Sequence, residues 1–405
     1  MNRITKNNFW QYLIAVVAAC LVFGIMQGTK DNYGIMMNGI IEHTGISYAA
    51  VSFAIGIGQI LYGVTQPLFA MLALKKSNAF VLLCGIILMA TGLIATPFCT
   101  QIWSMLLFFG IILPTGTGAL CLGVVMGAIS PIIGEKRAAA ASGIIQASAG
   151  IGDALMAPAL QHLTAWRGIT IAMPVFSIPI LFMLPVIIWL SQGKKKNETQ
   201  TFQANNTDDD HHPETLSVIL RAAFRDRTYW CLLIGFSTCG FHMSIIETHL
   251  FSQYLSNGIP GSITSLALTV YGIATMLGAV ITGFLGRYFR MKNVLASVYG
   301  IRVLIAIVFI FLPKSIPFAF IVMAALGLTG DSTVPPTTGI ISGKVGIAKM
   351  AVLYGSLCIG HQVGAFASAW LGGILVTTPL SYTALWIVDL CLCSIASTVS
   401  FLIKD

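Results

Sequence analysis

Charged residues are scarce in this chain: Asp, Glu, Lys and Arg make up 9% of its 405 residues, whereas a soluble domain carries about 25%. A glycine-rich phosphate loop followed by lysine is missing, which argues against the use of ATP. The nine cysteines form no CxxC pair and mostly lie in apolar runs, as small packing residues do. The sequence therefore predicts no enzyme, no cofactor and no metal site.

Long apolar runs are what the chain has instead. Hydrophobic residues make up 56% of it, and one membrane-spanning helix needs about 20 of them. The runs predict an all-α membrane protein with twelve transmembrane helices in two six-helix bundles. The first six helices are predicted at 9–38, 47–72, 79–97, 103–132, 139–160 and 169–190, and the last six at 229–255, 263–286, 293–312, 317–341, 350–375 and 383–402.

The basic residues predict the orientation. With the N-terminus placed inside, 18 of the 22 Lys and Arg residues fall on the cytoplasmic side. Lys30, Arg167 and Lys314 fall outside, and Arg302 lies within an apolar run. Because cytoplasmic loops of membrane proteins are enriched in Lys and Arg, both termini are predicted to be cytoplasmic.

A polar stretch divides the chain. Residues 191–227 are too polar and charged to form a core, which predicts a flexible cytoplasmic linker between domains 1–190 and 228–405. The acidic and histidine cluster at 208–212 is interpreted as a solvated charge run and not as a metal site. The two domains also resemble each other in sequence. Leu61–Gly85 aligns without gaps with Met276–Gly300, and Lys75 is then aligned with Arg290.

This layout of two six-helix repeats resembles the major facilitator superfamily. Within it, several segments resemble bacterial relatives of monocarboxylate transporters and oxalate:formate antiporters. They are 45–72, 235–250, 298–307, 331–340 and 360–373. The resemblance implies alternating access, proton coupling, small organic acids as substrates and location in a bacterial plasma or inner membrane. The stretch 263–286, however, has no charge where monocarboxylate carriers place an Asp/Arg pair.

Three acids in apolar runs are candidate proton-coupling residues: Asp331, Glu247 and Asp153. Ionisable groups at membrane depth usually serve transport or are neutralised by a partner. Asp331 precedes Pro335 and Pro336, which break a helix and are tolerated at mid-membrane beside a cavity. Asp331 could equally be a structural acid, and Glu247 could lie in water at a helix end.

Three basic residues are candidates for substrate binding. His361 lies in the middle of the eleventh predicted helix, and His249 lies close to Glu247. Arg302 could bind a carboxylate with its two-pronged guanidinium, although a structural pairing with Asp389 or Asp331 is favoured. Lys30 and Asp31 could form an ion pair at the outer mouth of the first helix, although a hydrated loop is favoured.

The sequence thus predicts a monomeric secondary transporter in the lipid bilayer that moves a monocarboxylate-like anion, with protons as its second partner. Scattered single charges fit a carrier better than a channel, and nothing indicates nucleic-acid binding. The main alternative is a proton-driven exporter of amphipathic or cationic molecules, since buried acids outnumber buried bases. A membrane sensor without transport is a more distant alternative.

Overall fold

The computed structural model describes residues 6–192 and 216–403. Helices form all of the regular secondary structure in that part of the chain. The first half contains ten α-helices: α1 (Lys6–Asp31), α2 (Tyr33–Thr44), α3 (Tyr48–Lys75), α4 (Asn78–Ala95), α5 (Ile102–Met105), α6 (Leu113–Ala119), α7 (Leu122–Ile133), α8 (Glu135–Arg167), α9 (Ile169–Leu181) and α10 (Leu184–Gln192). A π-helix, Leu106–Ile112, joins α5 to α6.

The second half continues the numbering: α11 (Leu216–Ala223), α12 (Arg227–Ser244), α13 (Phe251–Ser256), α14 (Gly261–Leu285), α15 (Met291–Phe311), α16 (Ile316–Thr329), α17 (Val334–Leu375) and α18 (Ser381–Phe401). A π-helix, Ile245–Leu250, joins α12 to α13, and a 3₁₀ turn, Asp331–Thr333, joins α16 to α17. Within α17, Gly346 has φ 78°, a conformation that glycine adopts without strain, and there the chain reverses between two spanning segments.

The all-α membrane fold is confirmed. Ten helices of the described residues are long and apolar enough to cross a membrane. Helix α8 and the part of α17 after Gly346 occupy the places of the fifth and eleventh predicted helices, so the arrangement is consistent with twelve. Exposed apolar side chains such as Leu74, Trp103 and Phe311 are what a lipid-facing surface requires.

Two differences from the sequence-based boundaries matter. The first predicted helix is broken at Asn32 and continues as α2, so the chain does not leave the bundle at Lys30. Part of the predicted linker forms helix α11, while 193–215 lies outside the described residues.

The two halves meet through α3 and α17 and through α8 and α14. Small residues permit the second contact: a Cβ atom on Gly150 would lie 2.5 Å from the carbonyl oxygen of Gly272. Hydrogen bonds also join the halves, from Asn38 to Ser252 (2.8 Å) and between Tyr48 and His249 (2.8 Å). The two hydrogen bonds lie toward one membrane face, since Tyr48 begins α3 and Lys75 ends it at the other face. The other face, which we call the basic side because it carries Lys75 and Arg290, is where the cavity described next leads.

Candidate functional site

A cavity of about 490 Å³ lies between the two halves. It extends from Lys30 and Glu247 toward the basic side, where Gly143, Val280 and Tyr354 line it. Its polar lining consists of Gln27, Lys30, Asp31, Tyr62, Gln66, Gln146, Asp153, Glu247, Tyr271, Thr275, Asp331, Tyr354, His361 and Gln362. Four of the six predicted site residues, Asp153, Glu247, Asp331 and His361, are therefore brought together around one space.

The end of the cavity that lies farthest from the basic side is closed by three charges, which we call the cavity cluster: Lys30, Asp31 and Glu247. Lys30 Nζ lies 2.6 Å from Asp31 Oδ1 and 3.2 Å from Glu247 Oε2. Gln59 Nε2 donates to the same Glu247 oxygen at 3.2 Å, and Gln27 donates to both oxygens of Asp31. Because Glu247 belongs to the second half and the other residues to the first, this network joins the halves.

The expectation of a hydrated loop at Lys30 and Asp31 is wrong. Lys30 is 6% exposed, and its Nζ lies 5.4 Å from the centre of the Tyr62 ring. Just beyond the pair, Asn32 Nδ2 donates to the carbonyl of Gly28 at 2.7 Å, which satisfies the backbone where α1 ends. The predicted first helix, 9–38, runs past this pair, but the sequence offers no sign that the helix breaks at Asn32 or that Lys30 meets Glu247 of the other half.

Two further acids line the cavity without a cation beside them. Asp331 begins the 3₁₀ turn between α16 and α17, where the neighbouring prolines led us to expect a break. Asp153 on α8 packs against Gly272 of the other half, and its Oδ1 is buried without a hydrogen-bond partner. Asp153 is thus buried with one carboxylate oxygen unpaired, whereas Asp331 is half-buried.

His361 lines the cavity from α17, and its ring centre lies 5.1 Å from that of Phe236. The helix carrying it is held close to α12, because a Cβ atom on Gly240 would overlap the carbonyl of His361. The glycine-rich surroundings of His361 thus serve close helix packing while the imidazole faces the cavity.

His249 and Arg302 lie outside the cavity lining. His249 is fully buried between the halves, with Nδ1 2.8 Å from the Tyr48 hydroxyl and Nε2 3.2 Å from the carbonyl of Ala369. The interpretation of His249 as a direct substrate ligand has no geometric support in this conformation. Its contacts instead close the face opposite the basic side.

The expected pairing of Arg302 with a carboxylate, Asp389 or Asp331, is wrong. Its guanidinium is fully buried and donates to the carbonyls of Thr329 (2.5 Å) and Gly330 (2.8 Å). Asp389 is paired with His242 instead, at 2.8 Å. With Cys393, these two residues form a group with metal-ligand chemistry, but Asp389 already accepts from His242, and the group lies away from the cavity.

Comparisons with known proteins agree with this architecture. The sequence model of the Major Facilitator Superfamily matches residues 12–346. The chain is 20% identical to the oxalate:formate antiporter of Oxalobacter formigenes, over 92% of this chain and 86% of that protein. It is 22% identical to human monocarboxylate transporter 12, over 83% of this chain and 69% of that protein.

A third relative is an uncharacterised MFS-type transporter, YcxA of Bacillus subtilis, at 24% identity; that match spans 48% of this chain and about half (52%) of the relative. Among solved structures, a bacterial homologue of the human lysosomal transporter Spinster, in an inward-facing and unoccupied conformation, has a TM-score of 0.76 at 14% identity, covering 98% of this chain and 97% of that one. The nucleoside transporter NupG has a TM-score of 0.74 at 14% identity, covering 97% and 100%. These likenesses show the fold. The protein is thus a membrane transporter and not an enzyme, and it belongs to the major facilitator superfamily.

Proposed function

We propose that this protein is a proton-coupled secondary transporter of a small organic anion and works by alternating access. The observation that carries the proposal is the position of Lys30. Among the described residues that line the cavity it is the one Lys or Arg, and it lies at the cavity's closed end. A carboxylate that enters from the basic side meets this ammonium group, with His361 as a second donor.

The cavity cluster supplies a route for coupling. Lys30 is shared by Asp31 and Glu247, so a substrate carboxylate must compete with them for the ammonium group. Protonation of Glu247 removes one competitor and frees Lys30 for the substrate. Because the pair of Lys30 and Glu247 also joins the two halves, the same proton weakens the contact that closes the opposite face. Proton and anion then move together without net charge.

Asp331 and Asp153 act as further proton sites in this mechanism. Both line the same cavity, and the described structure records no cation within ion-pairing distance of either. His249 contributes by closing the path on the opposite face, where its ring contacts Tyr48. Arg302 does not bind substrate in this mechanism.

The proposal includes the topology. We place domains 1–190 and 228–405 on either side of a cytoplasmic linker, 191–227, with both termini cytoplasmic in a bacterial plasma or inner membrane. The Lys and Arg distribution supports this orientation. The basic side is then cytoplasmic and the cavity is inward-facing. We take the working unit to be a monomer, since one chain forms the whole cavity.

The names of two relatives support a carboxylate as the substrate. An oxalate:formate antiporter and a monocarboxylate transporter match most of the chain, at 20% and 22% identity. Within this class the cavity volume of about 490 Å³ favours small acids.

The test is proton flux in proteoliposomes that contain a pH dye, with lactate, pyruvate, formate and oxalate added in turn. Protein-free liposomes run alongside, because undissociated acids cross lipid unaided. We expect internal acidification above that control, and we expect Asp331→Asn to lose proton-driven uptake while anion exchange continues. Equal flux in both kinds of liposome would reject the organic-anion assignment, and full proton-driven uptake by Asp331→Asn would reject the role of Asp331.

One observation favours a second candidate function, the proton-driven export of cationic or amphipathic molecules. Four carboxylates line the cavity, from Asp31, Asp153, Glu247 and Asp331, against one lysine. Tyr62, Tyr271 and Tyr354 add aromatic surface that can hold a cation. A growth assay of a sensitised host with a panel of cationic compounds distinguishes the two, because the organic-anion transporter confers no resistance.

A further inference from the structure

The break between α16 and α17 leaves backbone groups without their usual partners. Helix α16 ends at Gly330, whose ψ is −88°, and the amide of Val334 then bonds to Asp331 in a 3₁₀ turn. In a continuous α-helix that amide would bond to the carbonyl of Gly330. Inside a membrane an unsatisfied carbonyl costs several kcal/mol, so this break requires a donor from elsewhere.

Arg302 is that donor. Its Nη2 donates to the carbonyls of Thr329 (2.5 Å) and Gly330 (2.8 Å), the last two residues before the 3₁₀ turn. The side chain is fully buried on α15, which lies outside the cavity lining. A guanidinium keeps its charge at any physiological pH, so this support does not vary with protonation.

The guanidinium is itself held in place by neighbouring helices. Its central carbon lies 5.4 Å from the ring centre of Tyr299, whose hydroxyl donates to the carbonyl of Gly235 at 2.6 Å. Nη2 also approaches Cys239 Sγ at 3.5 Å, and that sulfur lies 3.2 Å from Thr333 Oγ1 in the turn. Arg302 therefore connects α15 and α12 to both ends of the break.

We propose that Arg302 is a positioning residue: it fixes the break between α16 and α17 and so sets the place of Asp331 in the cavity. This inference rests on the proposed function only in taking Asp331 as a proton site. Nη2 of Arg302 faces backbone carbonyls, Nε and Nη1 are buried without a hydrogen-bond partner, and the residue lies outside the cavity lining. The Arg302 side chain thus acts on transport through Asp331.

The groups around Asp331 determine how a displacement of this residue can be detected. The ionisable groups that act on it come from α1, α8, α12, α14 and α17. They are Lys30, Asp31, Asp153, Cys239, Tyr271, Tyr354 and His361. Of these groups, Cys239 is the one that the described structure bonds to Arg302, so an altered reactivity of Asp331 in an Arg302 variant reports its position.

The test uses a carbodiimide, which reacts with protonated carboxyls in apolar surroundings. Purified protein in lipid nanodiscs is labelled between pH 5 and 8, and each carboxyl is quantified by peptide mass spectrometry. Arg302→Lys keeps the charge but cannot place a donor where Nη2 lies, the one nitrogen that donates to both carbonyls. We expect it to slow labelling of Asp331 about tenfold at a given pH, because water enters the loosened break. Glu247 in the same sample should keep its wild-type rate.

Ser397→Ala is the matched control, since it removes a part-buried hydrogen bond to the same helix, at Ala296, without touching the break or Arg302. It should leave the pH profile of Asp331 labelling at that of the wild type. Unchanged Asp331 labelling in Arg302→Lys would overturn the proposal. Labelling needs no transported substrate, so this result stands apart from the test of the organic-anion assignment.

A measurement on the wild-type protein covers the case in which Arg302→Lys does not fold. Hydrogen exchange of the backbone amides from Ser332 to Val334 should be as slow as that in the middle of α15, because the break is held rigidly. Fast exchange confined to the break would show that Arg302 does not fix it, and would overturn the proposal equally.

Discussion

Two buried groups of ionisable residues invite comparison, because they use similar chemistry in different places. The cavity cluster of Lys30, Asp31 and Glu247 joins the two halves. The pair formed by His242 and Asp389, which we call the interior pair, lies wholly inside the second half. Both residues of the interior pair are fully buried, whereas Lys30 and Glu247 are 6% and 8% exposed.

The difference teaches which buried charges can take part in transport. The contact of Lys30 with Glu247 must change if the halves move apart, and both residues border a space that a substrate or water can enter. The interior pair joins α12 to α18 and lies outside the lining of this cavity, so we expect movement of the halves to leave it intact. We therefore expect substitutions in the cavity cluster to change transport, and substitutions in the interior pair to change stability.

The largest effect is expected from Lys30→Met. It leaves Asp31 and Glu247 as neighbouring buried carboxylates without a cation, and removing one partner of a buried ion pair costs about 3–5 kcal/mol. Uptake of the anion should fall more than about 100-fold, measured in proteoliposomes at matched protein content. Lys314→Met is the control, because Lys314 lies in the loop after α15 and outside the cavity lining. Wild-type uptake by Lys30→Met would show that Lys30 does not take part in substrate binding.

Glu247→Gln should separate transport from the proton gradient. The amide cannot carry a proton for coupling, and it leaves Lys30 with Asp31 as its remaining carboxylate partner. We expect exchange of anion for anion to persist while uptake driven by a pH gradient falls about tenfold or more. Counterflow and gradient-driven uptake are measured on the same preparation. Retention of full gradient-driven uptake would assign coupling to Asp331 or Asp153 alone.

Asp389→Asn tests the interior pair. It removes the carboxylate that His242 contacts at 2.8 Å in a fully buried position, and it should destabilise the protein by about 3–5 kcal/mol. Thermal unfolding in detergent should therefore shift to lower temperature, while the pH dependence of uptake by the folded fraction stays at that of the wild type. A changed pH dependence without a loss of stability would place the interior pair in the proton pathway.

The smallest effect is expected at the basic side, where Asp226 precedes α12. Burial raises the pKa of Asp226, but hydrogen bonds from Lys344 and Thr228 and the charge of Lys344 outweigh it and hold that pKa below its usual range. A depressed pKa means that the carboxylate stabilises the fold above its unfolded pKa, and that this contribution is lost as pH falls through the lower, folded pKa.

Asp226→Asn should therefore cost at most about 1 kcal/mol at pH 7, because a partly exposed ion pair is screened by water. The difference from the wild type should shrink as pH falls below about 4 and vanish in stronger acid, below the depressed pKa of the folded state. Asparagine caps a helix as well as aspartate does, so the variant isolates the charge. A loss of stability that is the same at pH 7 and in acid would contradict this account.

The residues that line the cavity show what the sequence alone can indicate. Asp331 was recognisable because two prolines follow it, and a helix break at membrane depth is a local property of the chain. Asp153, Glu247 and His361 were recognisable as ionisable groups in apolar runs. Lys30 was misinterpreted because its partner Glu247 lies 217 residues away.

Arg302 is a residue whose need for partners could be predicted, although the partners themselves could not. Its presence in an apolar run predicted that it must have partners, and this is confirmed. Its Nη2 donates to two backbone carbonyls, and no pattern of side chains announces a carbonyl freed by a helix break elsewhere. His249 was misplaced for a related reason, since the depth of a residue along a helix does not tell which neighbour its side chain faces.

The sequence by itself determined the all-α membrane fold, the repeated halves and the expected orientation, because hydrophobicity, helix length and the distribution of Lys and Arg are summed along the chain. Only the tertiary structure decided which buried charges meet. Those encounters depend on the rotation of each helix about its axis and on the packing of one half against the other, as when Gly150 meets Gly272. The cavity cluster, the interior pair and the support that Arg302 gives to the break are therefore products of packing between distant segments.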